Sequence, residues 1–96
     1  MVVVFAYLCF MNQLNTLKQA ARYSTKAFAA FALATDDDKT ISDRERLLYL
    51  WDAMDAAFNA ARRLNRLDRC TVTLDKLWFD AETLAVSIEN KNNLFA

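Results

Sequence analysis

Four arginines within eight residues, Arg62, Arg63, Arg66 and Arg69, form the densest group of chemically competent side chains in this 96-residue sequence. A guanidinium has a fixed positive charge and a planar fork of N–H donors that fits phosphate and carboxylate oxygens. Such a cluster would hold phosphates or an acidic partner, with Lys18 and Arg22 adding to it. The plainer reading is a solvated helix end whose cations offset the negative end of the helix dipole. Other candidates carry less. Asp52, Asp55, Asp80 and Glu82 suggest a carboxylate-bridged metal site, but bundles of that kind bring Glu and Glu-x-x-His inward. The sequence has no histidine, and the spacing of these acids relative to the apolar positions turns most of them outward. No metal and no cofactor is expected. Cys9 and Cys70 are too few and too far apart for a disulfide framework or a metal cluster. Without a histidine neither thiol has a base to activate it, so both are expected as small core residues of a cytoplasmic protein.

The charges sum to zero, from 12 basic and 12 acidic residues. That balance argues against non-specific nucleic-acid binding, yet its distribution is uneven. Residues 1–35 contain Lys18, Arg22 and Lys26 and no acid. A helix-turn-helix reading fails on charge. The helix after the Arg cluster would enter the major groove carrying Asp75, Asp80 and Glu82 against Lys76 alone, and would be repelled. The apolar start, Val2 to Met11, is too short to span a bilayer and lacks the basic flank and cleavage site of a leader.

The elements that would position these groups are helices. Gly and Pro are both absent, although average usage would place roughly seven and five of them in a chain this long. Sheet corners and hairpin turns usually need those residues. Val3, Tyr7, Phe10, Leu14, Leu17, Ala21, Ser24, Phe28 and Phe31 recur in alternating steps of four and three. That spacing sets them along one face of a helix over residues 2–34, about 50 Å long at about 1.5 Å per residue. A short strand over residues 2–8 competes, because Val2, Val3 and Val4 are β-branched. Thr35 to Thr40 reads as a solvated loop. Ser42-Asp43-Arg44-Glu45 has the form of a capping box that opens a second helix, about 43–68. Its expected buried face is Leu47, Leu50, Trp51, Met54, Ala57, Phe58, Ala61 and Leu64. Thr73 is the expected cap of a third helix, about 74–90, buried through Leu74, Leu77, Trp78, Ala81, Leu84, Ala85 and Ile88. The end from Asn90 to Asn93 is expected to fray.

Asp43-Arg44-Glu45-Arg46, at a helix start that follows a long first helix and a loop, resembles the small all-α chorismate mutases. The dimers of that family use this Arg and Glu together with basic residues of the long helix. The resemblance implies Arg44 and Glu45 as site residues of a small enzyme. Aligned on the motif, the chain has apolar or small residues where the family's long-helix Arg and Lys fall, and Ala81 near its third-helix Gln.

The sequence is therefore expected to form one all-α domain over residues 1–96, a three-helix bundle or a helical hairpin plus a third helix, paired as a homodimer. If the first two helices form an antiparallel hairpin, facing residues have numbers that sum to about 78. Phe10 then meets Asp68, where the second helix stops. Val3, Val4, Tyr7, Leu8 and Phe10 lie at or beyond that end without cover from their own chain and become the expected dimer interface. By elimination the expected function is non-catalytic: a protein–protein interaction module acting as inhibitor, adaptor or regulatory subunit, with Arg62, Arg63, Arg66 and Arg69 as its partner-binding patch. Binding of RNA or another anion through the same arginines is the first alternative, and the chorismate-mutase type of enzyme the second.

Overall fold

The computed structural model describes residues 2–37 and 40–92, without the side chains of Val2, Phe5 and Asn92. Three helices follow one another: α1 over Val2–Ala34, α2 over Asp43–Arg66 and α3 over Val72–Asn92. No strand occurs among the described residues. The β-branched start is helical, continuous with the rest of α1. Helix α3 extends through Asn92, past the expected fraying point, and Asn93 lies outside the described residues. Asp38 and Lys39, in the loop between α1 and α2, also lie outside them.

Each boundary has a local cause. Ser42 sits in extended backbone (φ −71°, ψ 159°) as the N-cap of α2. Its Oγ accepts the Glu45 amide at 3.1 Å, which satisfies one of the helix-start donors. Helix α2 ends at Arg66, short of the expected Asp68, because Asp68 adopts a left-handed conformation with φ 54°. The Asp68 amide donates to the Asn65 carbonyl (3.1 Å) and the Arg69 amide to the Leu64 carbonyl (2.9 Å). These paired bonds define the Schellman motif, in which glycine normally holds the left-handed position. Helix α3 starts at Val72, so Thr71 and not the expected Thr73 precedes it. The Thr71 carbonyl accepts the Asp75 amide, and its hydroxyl donates to Asp75 Oδ2, each at 2.9 Å. The shift follows from where the chain leaves the Asp68 turn.

The core is made largely of alanine. Ala20, Ala27, Ala30 and Ala34 of α1 are buried, with Leu47, Leu50, Ala53, Ala56, Ala57 and Ala60 of α2, and Leu74, Leu77, Ala81 and Ala85 of α3. Near the α1–α2 loop, Ala30 and Ala34 pack with Leu47, Leu50, Ala53, Ala81 and Ala85. Farther along, Ala27 packs with Ala56, Ala57, Ala60, Leu74 and Leu77. Both α1 and α3 therefore run antiparallel to α2, which lies against each of them, while α1 and α3 touch little.

This core corrects the expected faces. Phe28 of α1, Trp51 and Phe58 of α2, and Trp78 and Leu84 of α3 are exposed, and so is Ala21. Leu14, Leu17, Ser24 and Phe31 are half-buried, on the flank of the seam. The cause is steric. Alanine rows let two helix axes approach closely, and a Phe or Trp between them would force the axes apart and cost packing along the whole seam. The large side chains therefore fall on the flanks, where a molecule of three helices has no further layer to cover them.

Candidate functional site

The hairpin register places the two candidate surfaces side by side. Phe10 and Asp68 line one cleft, together with Gln13, Leu14, Leu17, Arg66, Leu67 and Arg69. The cleft has a volume of about 240 Å³ and lies where α2 ends against α1. N-terminal to it, the described side chains of α1 from Val3 to Cys9 are all exposed. Val3 is 82% exposed, Val4 61%, Tyr7 61%, Leu8 55% and Phe10 60%. All five are described as helical, so they form a projecting apolar helix end edged by Arg66 and Arg69.

The four arginines differ in exposure and orientation. Arg62, Arg66 and Arg69 are exposed, whereas Arg63 is half-buried and turned toward α1. Its Nε donates to Gln19 Oε1 at 3.1 Å, and its Nη1 donates to the Asn59 carbonyl at 3.1 Å and to Asn59 Oδ1 at 3.3 Å. The guanidinium lies over the Tyr23 ring, 4.6 Å from its centroid, within range for a cation–π contact. A second cleft, of about 380 Å³, is lined by Gln19, Arg22, Tyr23, Lys26 and Arg63. Gln19, Tyr23 and Lys26 were not singled out by sequence. The i, i+4, i+8 spacing of Lys18, Arg22 and Lys26 was the available signal for the α1 half. Their apposition to Arg63 depends on the register of the hairpin.

A third cleft, of about 290 Å³, lies between α2 and α3 and is lined by Ala57, Phe58, Ala61, Leu74, Asp75 and Trp78. It is an apolar furrow beside the seam.

At the start of α2, Arg44 and Glu45 are exposed, and neither lines any of these three clefts. Lys26, the nearest α1 cation in sequence, lies eight residues from Ala34, or about 12 Å along the helix, and it is Ala34 that packs with Leu47 near the start of α2. Arg46, next to them, is half-buried with its Nε lacking an acceptor among the described residues. Cys9 and Cys70 are exposed, which corrects their expected place in the core. Cys9 lies on the overhang and Cys70 in the turn after α2, so helices cover neither. Among the described residues no group of three or more Cys, Asp or Glu converges as a metal site, and no helix is long and apolar enough to cross a membrane. Compared with known proteins, the chain matches no family model, no curated protein and no solved structure.

Proposed function

We propose that this chain is a small non-catalytic interaction module, a three-helix bundle that works as a cytoplasmic homodimer through the N-terminal end of α1. The observation that carries the reading is the inverted placement of its side chains. Alanines fill much of the seams, while Val3, Val4, Tyr7, Leu8 and Phe10 stand in solvent on one projecting helix end. Contiguous exposed apolar groups of this size mark an association surface. A second copy is the fitting occupant, because a two-fold axis through the overhang sets apolar against apolar. The segment through Phe10 has no charged side chain to repel its mate.

A fully buried side chain of this type contributes about 1.5–3 kcal/mol, so complete burial of the exposed fractions of these five residues would contribute at most about 5–10 kcal/mol per protomer. Arg66 and Arg69, at the edge of the same surface, then present cations to an acidic partner bound beside the dimer.

Light scattering on the full-length chain at micromolar concentration tests this, alongside a Tyr7→Glu/Phe10→Glu variant. The expected masses are twice 11.0 kDa for the parent and 11.0 kDa for the variant, with helix content retained. A monomeric parent, or a variant that remains dimeric, refutes the reading.

A further inference from the structure

The cleft between α1 and α2 has the composition of an anion site. Arg22 and Lys26 stand one turn apart on α1, and Arg63 faces them from α2. No carboxylate lines the cleft, and α1 contains no acidic residue at all. Among the described residues, neither Arg22 nor Lys26 has a side-chain hydrogen bond or ion pair. Arg63 is held in place along one side. Gln19 takes its Nε–H, Asn59 takes Nη1, and Tyr23 lies under the plane. A guanidinium has five N–H donors, and these contacts leave the Nη2 pair without a protein acceptor among the described residues.

We propose that this cleft binds a diphosphate group, either free or carried by a small molecule. A fixed guanidinium with an open pair of donors matches phosphate oxygens in geometry as well as charge. Three cations converge, so a single carboxylate would leave most of their charge unmatched, whereas a diphosphate balances it. The volume of about 380 Å³ admits such a group together with a small organic portion. Extended nucleic acid fits less well, because the chain is electrically neutral and the outward face of α2 carries Asp52 and Asp55, both exposed. The site is separate from the α1 overhang, so it stands or falls independently of the dimer.

Isothermal titration of the full-length protein with sodium pyrophosphate, at constant ionic strength and against sodium chloride, tests the proposal. One pyrophosphate per chain is expected. Arg22→Gln/Lys26→Gln, two substitutions at exposed positions, should weaken binding about tenfold or more, the loss of one or more charged hydrogen bonds. Arg63→Lys keeps the charge and loses the fork, and should also weaken it. Arg62→Gln/Arg66→Gln, exposed arginines that do not line the cleft, should weaken binding less than the Arg22/Lys26 pair does, since their charges reach it only through screened solvent. ADP in place of pyrophosphate separates the two sources: tighter binding assigns a carried diphosphate, equal or weaker binding a free one. No binding of either, or an equal loss in the Arg62/Arg66 variant, overturns the proposal. So does tighter binding of a single-stranded RNA oligomer that depends on Arg62 and Arg66.

Discussion

Leu50→Ala and Phe58→Ala should differ sharply in stability, in the opposite order to side-chain size. Leu50 is 0% exposed and packs in one cluster with Ala30, Ala34, Leu47, Ala53, Ala81 and Ala85. Its truncation leaves a cavity that the five alanines cannot fill, since their side chains have no rotamers to repack. Such a change costs about 2–5 kcal/mol, against a total of about 5–14 kcal/mol for a domain this size. Phe58 is 56% exposed, so less than half of its surface leaves water on folding. Scaling about 1.5–3 kcal/mol for full burial gives a cost of about 0.7–1.3 kcal/mol. Alanine's better helix propensity returns about 0.5 kcal/mol of that. Urea unfolding followed by circular dichroism, at matched protein concentration, measures both. With a slope of about 1–3 kcal/mol per molar urea, Leu50→Ala should lower the midpoint by about 1 M or more and Phe58→Ala by a few tenths. An equal or larger loss for Phe58→Ala would refute the alanine seam and restore the register that turns the bulky residues inward.

Two further outcomes follow from the helix ends. Ser42→Ala should cost about 0.5–2 kcal/mol in the same assay by removing the acceptor of the Glu45 amide, whereas Glu45→Gln, which keeps that amide, should cost less. Asp68→Gly should stabilise the chain by about 0.5–1 kcal/mol, because glycine occupies the left-handed position without the clash of a Cβ. A destabilised glycine variant would argue that the Asp68 carboxylate has a role in the turn that outweighs this relief.

The helices were legible because little in the sequence competes with them beyond the β-branched start, Val2 to Val4. Gly and Pro are missing, Ser42 and Glu45 stand at the spacing of a cap, and the short loop makes α1 and α2 antiparallel. The face that each helix buries was harder to read. Helix α1 offers two stripes: a heptad of large apolar groups through Phe10, Leu17 and Phe28, and the small row of Ala20, Ala27, Ala30 and Ala34. Transfer free energy favours burying the first. Close approach favours the second when the facing helix presents small residues as well, as α2 does at Ala53, Ala56, Ala57 and Ala60. Only the paired rows, taken together, identify the seam. The end of α2 gave no signal, since Asp68 takes a conformation that glycine usually marks. The α1–α2 cleft was half visible, as the basic spacing on α1, and the inward turn of Arg63 needed the fold.

Amide hydrogen exchange at Tyr7, Leu8, Cys9 and Phe10, followed as a function of protein concentration, tests the central claim most directly. These amides lie beyond the first turn of α1, so each has an intrahelical acceptor, and their protection reports whether the projecting helix end is covered. In a dimer built on the overhang, protection of these four rises from nanomolar to tens of micromolar protein, while that of Ala53, Ala56 and Ala57 in the seam rises far less. Exchange at Tyr7 to Phe10 that stays fast and independent of concentration would contradict the account.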